Sequence, residues 1–155
     1  MIRRIPSLIF IIVLIIFIGS SCKKKDKEIP EPQLTEAQKA ANFLTANGGK
    51  WNPAPVSNWV TVEGINIADL FKDFSITFTA TGYTTSGTSP VWSRSDTWSF
   101  KDDTGTILVR KSDNKEVTVA VTETTLKLTI NWDQTTFEGG RNKSINGKHE
   151  FNLVK

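Results

Sequence analysis

The sequence predicts a mostly β fold: an antiparallel meander that curls into a lipocalin-like barrel, or alternatively a β-sandwich, behind one short N-terminal helix. Two-residue alternation, turn chemistry between the alternating runs and a single window of helical spacing carry that expectation. Phe74, Ile76 and Phe78 alternate with Ser75, Thr77 and Thr79, and Val117, Val119 and Val121 with Thr118, Ala120 and Thr122. Leu126, Leu128, Ile130 and Trp132 alternate in the same way with Thr125, Lys127, Thr129 and Asn131. Such a period places one face of a strand on a core and the other in water.

The helix comes first. Thr35-Glu36-Ala37-Gln38 forms a capping box, in which the Thr hydroxyl and the Gln side chain satisfy free N–H groups at a helix start. Ala37, Ala40, Ala41 and Leu44 then share one stripe, and Gly48 supplies a stop. The spacing predicts a helix near 36–46. The next stretch, Pro53–Phe71, is the least patterned; Asn66–Phe71 reads as a single helical turn or a loop over a barrel mouth. Beyond it, shorter strand-like runs lie at Trp98–Phe100, Ile107–Arg110 and Glu150–Val154. Turn residues separate the runs at Ala80–Gly82, Asp102–Gly105, Ser112–Lys115 and Asn146-Gly147. All 19 Thr follow residue 34, as suits a sheet with Thr-rich exposed faces. Roughly seven or eight closely spaced strands suggest a meander closing on itself.

The N-terminus is of another kind. Arg3 and Arg4 precede eleven apolar residues, Leu8 through Ile18, and Gly19-Ser20-Ser21 leads into Cys22, the only cysteine. A basic stretch, a short apolar run and small residues before a cut site describe an export signal over 1–21. The run is shorter than the roughly 20 residues of a membrane-spanning helix. Ser20-Ser21-Cys22 resembles the lipobox of bacterial lipoproteins, with Gly19 where a Leu-like residue is usual and Ile18 one further back. The resemblance implies that the Cys22 thiol is lipidated and becomes the new N-terminus. Residues 22–34 then form the lipidated Cys and a charged, Pro-containing tether, able to span roughly 40 Å at about 3.3 Å per residue. Residues 35–155 make a single β domain.

Charge narrows the partners. The whole chain carries 19 basic and 16 acidic side chains; loss of Arg3 and Arg4 leaves 17 basic, four of them in Lys23–Lys27 of the tether. The domain is balanced, so nucleic acid, which needs clustered cations, is not an expected partner. Catalysis finds little support. His149, the lone histidine, reads as a surface residue. Zinc needs three or four ligands, and no nucleophile elbow, P-loop or dinucleotide fingerprint occurs. Asp102 and Asp103 read as turn residues. The expectation is a non-enzyme, monomeric, without metal or cofactor.

Aromatic residues are the stronger signal. Trp98 and Trp132 keep strand alternation and read as core. Trp59 and Trp92 lie in unpatterned stretches, either as buried anchors or facing a ligand such as a glycan. Arg94 and Arg141 are suited to a ligand carboxylate or to pairing with a surface acid. These four are the candidate ligand-binding residues.

Several segments together resemble a family: Gly49-Lys50-Trp51; Ser75–Tyr83 (SITFTATGY); Asp96–Phe100 (DTWSF); and Thr124–Ile130 (TTLKLTI). They are similar to the lipocalin-like lipoproteins of Bacteroidetes-type bacteria, where G-x-W opens the barrel and a W-x-F strand precedes a leucine-alternating one. The resemblance covers roughly residues 49–132 and implies a closed or nearly closed barrel with an apolar pocket, but no particular ligand. The expected function is a lipid-anchored cell-envelope protein of the outer membrane, on either side of it, holding a small apolar ligand. The alternative is a surface-displayed glycan- or protein-binding module with a filled core.

Overall fold

Thr35 caps the first helix as the sequence leads one to expect. Its hydroxyl accepts from the Gln38 backbone N–H at 3.2 Å, and the Gln38 side chain accepts from the Thr35 N–H at 2.8 Å, so helix α1 runs Glu36–Thr45 from a complete capping box. Asn47 and Gly48 stop it by adopting left-handed backbone (φ 55° and 79°) within a 3-10 turn over Ala46–Gly49. Glycine, and less often asparagine, tolerates that conformation without a Cβ clash. The computed structural model describes residues 33–133, 136–138, 141–143 and 146–155, with the strands over 136–143 described by their backbone.

Among the described residues twelve strands follow: β1 (Lys50–Pro53), β2 (Val60–Val62), β3 (Ile65–Asn66), β4 (Ser75–Phe78), β5 (Gly82–Ser86), β6 (Ser95–Phe100), β7 (Ile107–Arg110), β8 (Glu116–Val121), β9 (Thr125–Trp132), β10 (Thr136–Glu138), β11 (Arg141–Lys143) and β12 (Gly147–Val154). Their hydrogen-bonded order is β1-β4-β5-β6-β7-β8-β9-β12, and β12 pairs back with β1. That closes an eight-stranded antiparallel barrel and sets aside the sandwich. The longest seam joins β9 to β12, from Gly147 opposite Trp132 to Val154 opposite Thr125. The other edge of β12 is shared: β1 takes Leu153 and Val154, while β2 takes His149 to Phe151 and carries β3 outside the barrel. β10 and β11 form a separate hairpin, with Glu138 opposite Arg141.

The interior follows from alternation. Along β9, Leu126, Leu128, Ile130 and Trp132 are buried and the residues between them are exposed or half-buried. An eight-stranded barrel is just wide enough to be filled by side chains or to hold one small ligand. Here it is filled. Trp51, Ile76, Phe78, Tyr83, Leu128 and Phe151 are all below 2 % exposed, and rings meet repeatedly, as Phe78 with Trp98 (6.0 Å) and Phe71 with Phe151 (5.3 Å). Such pairs add about 0.5–1.5 kcal/mol each beyond their burial. Trp98 and Trp132 are core residues as expected, and the Trp98 indole N–H donates to the carbonyls of Thr79 and Gly82.

Successive turns of a meander fall at alternate ends, which gives the barrel two unlike mouths. The turns after β4, β6 and β8 share one end with α1 and the C-terminus. Segments 54–74, 87–94 and 111–115 gather at the other. The unpatterned Pro53–Phe71 stretch thus contains β2, β3 and a 3-10 turn over Ala68–Leu70, near the helical turn expected there.

Candidate functional site

At the loop mouth the structure brings Trp59 and Trp92 into the core. Trp59 is 8 % exposed, stacked on Phe74 at 5.7 Å and edge-on to Phe71 at 5.9 Å. Trp92 is 3 % exposed and lies edge-on to Tyr83 (5.4 Å) and Phe151 (5.9 Å). Its backbone N–H is fixed by the Ser89 hydroxyl at 2.8 Å. Neither indole presents a free face to solvent, as the buried-anchor alternative for the pair expects. Their segments carry too little period to show burial in sequence, yet Trp59, Phe71, Phe74, Val91 and Trp92 fold inward because each removes a large apolar surface from water. Arg94 is exposed. The guanidinium of Arg141 and the whole of Cys22 lie outside the described residues.

Two side chains at this mouth were missed. Arg110 is 2 % exposed and His149 fully buried; His149 was expected at the surface, and Arg110 was placed only as the end of a strand. Both obey alternation, Arg110 after Leu108 on β7 and His149 before Phe151 and Leu153 on β12, so register sets their direction and their polarity has to be satisfied inside. Arg110 donates to the Val91 carbonyl at 2.7 Å and to both carboxylate oxygens of Asp113. Its guanidinium carbon sits 5.4 Å from the ring centres of both Trp92 and Trp132, an arrangement in which cation–π attraction is strengthened by the loss of water. Burial pushes the Asp113 carboxyl up, but hydrogen bonds from Arg110 and the Lys115 N–H outweigh it and hold it below the usual carboxylate range.

The His149 ring stacks on Phe151 at 6.3 Å. Nδ1 lies 3.1 Å from the Gly147 carbonyl; a carbonyl only accepts, so Nδ1 carries the proton. Among the described residues, Nε2 of His149 and the indole nitrogens of Trp92 and Trp132 have no hydrogen-bond partner. Burial pushes the imidazole below its usual value, against the Gly147 carbonyl and the charge of Glu63. Among the described residues no three His, Cys, Asp or Glu side chains gather as metal ligands.

The helix mouth is built differently. The Ala37 N–H donates to the Asp103 carbonyl at 3.0 Å, the Trp51 indole N–H to the Leu44 carbonyl at 3.0 Å, and Lys155 Nζ to the Phe43 carbonyl at 2.8 Å. Gly105, at φ +69°, lets the β6–β7 turn press against α1; a Cβ there would stand 2.8 Å from Ala37 Cα. So anchored, α1 does not fill the mouth. Between it and the ends of β8, β9 and β12 lies a cleft of about 650 Å³. Ala40 and Phe43 of α1 form one wall, Val119, Leu126 and Leu153 line it from the barrel, and Lys39 and Lys127 also border it. That volume falls within the range of about 300–1,000 Å³ usual for small-molecule sites, which are mostly apolar with a few polar groups. Of the candidate ligand-binding residues, Trp59, Trp92 and Arg94 do not line it. The signal that could have pointed there is the apolar stripe of α1, which needs a partner surface.

No protein-family model, curated protein or solved structure matches the chain.

Proposed function

We propose that this is a non-catalytic, lipid-anchored protein of the cell envelope that holds a small apolar ligand. Cys22 carries the acyl chains, the tether over 23–34 leads to the barrel, and the ligand lies in the cleft under α1 rather than inside the barrel. The cleft of about 650 Å³ is the observation that carries this reading. The barrel interior is occupied by its own aromatic side chains, so a ligand there would have to displace a packed core.

Anchoring and binding are tested separately. Stable attachment requires more than one lipid chain or a second signal, at about 0.8 kcal/mol per buried CH₂. Cys22→Ser is therefore expected to move the protein out of the detergent phase on phase partitioning, and equal partitioning of mutant and wild type would remove the lipoprotein reading. For binding, native mass spectrometry of the chain extracted from its membrane is expected to show an added small-molecule mass. Ala120→Trp, at an exposed position bordering the cleft, is expected to lose it. Protease shaving of intact cells reports which side of the outer membrane the domain faces.

The filled interior also favours a second reading, a surface-displayed binding module for a glycan or a protein. It predicts that no small mass accompanies the purified chain.

A further inference from the structure

Resting on the ligand-binding reading, we infer that the cleft selects an amphipathic molecule: a single apolar chain ending in an anionic head, with the head held by Lys39 and Lys127. Most hydroxyl polarity inside the cleft is already spent, with Asn152 the one amide side chain on its lining. The hydroxyls of Thr104 and Thr106 bond each other at 2.8 Å, and those of Thr122 and Thr125 at 2.7 Å, which leaves the lining little capacity to orient a polar group along its length. Ala40, Phe43, Leu126 and Leu153 offer only carbon. A ligand polar in its middle would lose hydration without replacement.

Charge is available from α1 on one side and β9 on the other. Lys39 and Lys127 both border the cleft, against one carboxylate, Glu36. Each ammonium is held by a surface partner, Lys39 by Glu36 at 2.7 Å and Lys127 by Glu150 at 3.1 Å, with lysine side chains 44 % and 47 % exposed. Ion pairs so open to water contribute little, so either ammonium can exchange its partner for a ligand oxyanion without disturbing the fold. Lys148 shares Glu150 with Lys127 at 2.8 Å, so three cations face two carboxylates at this rim, and the positive balance sets the sign of the head. A carboxylate and a phosphate monoester meet this requirement equally, corresponding to a free fatty acid or a phospholipid-derived chain.

The test is calorimetric titration of the full chain, held in amphipol at low ionic strength, with dodecanoate, dodecyl phosphate, dodecanol and dodecylammonium. Both anions are expected to bind at least tenfold tighter than dodecanol, and dodecylammonium most weakly. The tighter anion identifies the source. Lys39→Gln with Lys127→Gln is expected to bring the anions down to the dodecanol level while leaving dodecanol unchanged, and added salt to weaken the anions alone. If dodecanol binds as tightly as the anions and the double variant changes nothing, the headgroup selection is wrong while the apolar cleft stands. If none of the four binds, the ligand-binding reading falls with it.

Discussion

The two mouths of this barrel are closed by opposite means. The loop mouth is stopped by side chains: Trp92 and Trp132 flank the buried Arg110, and Trp59, Phe71 and Phe74 converge on Phe151. The helix mouth is covered by a secondary-structure element anchored through a few hydrogen bonds, Gly105 and the C-terminal lysine. Side chains can interdigitate to the density of a crystal, whereas a helix about 10 Å wide laid across strand ends leaves space beside it. The tightly packed mouth therefore contributes stability and the covered one leaves room for a ligand.

The largest expected effect lies at the loop mouth. Trp92→Ala should cost about 3–5 kcal/mol, as for other buried aromatic truncations, and so match Trp98→Ala in denaturant melts. A cost below about 1 kcal/mol would mean that Trp92 sits at the surface and would remove the contrast between the mouths. At the helix mouth, Gly105→Ala should cost about 1–3 kcal/mol through its positive φ and its contact with α1, and should weaken ligand binding as α1 shifts. If binding stays at wild-type strength, α1 is not a wall of the site.

A smaller effect concerns pH. Burial holds the His149 imidazole below its unfolded value of 6.5, so the unfolded chain binds the extra proton first. The stability from the neutral ring is present above about pH 6.5 and is lost as pH falls through that value toward the depressed folded one. His149→Phe should flatten the change in melting midpoint between about pH 7.5 and 5.5. An unchanged slope would assign the pH response to another group.

Much of the barrel was legible because local alternation and barrel register say the same thing: β7, β8 and β9 lie where the alternating runs are, and Thr35 to Gln38 start α1. What stayed hidden has two physical causes. At Arg110 and His149 the residue type argued outward while the period argued inward, and the period prevailed because a strand cannot turn one side chain without turning all. The cleft depends on α1 meeting β8, β9 and β12, segments some 75–115 positions away in sequence, and no local pattern encodes that docking. Trp59 and Trp92 belong to the same class: their burial is decided by loops folding over the mouth.

The most direct test of the account maps where a ligand touches. Amide chemical-shift changes on adding dodecanoate to the full chain should concentrate at residues 36–43, 119–127 and 152–154, beside the cleft. Changes centred instead on 87–94, 110–115 and 147–151 would place the ligand at the loop mouth and contradict the account.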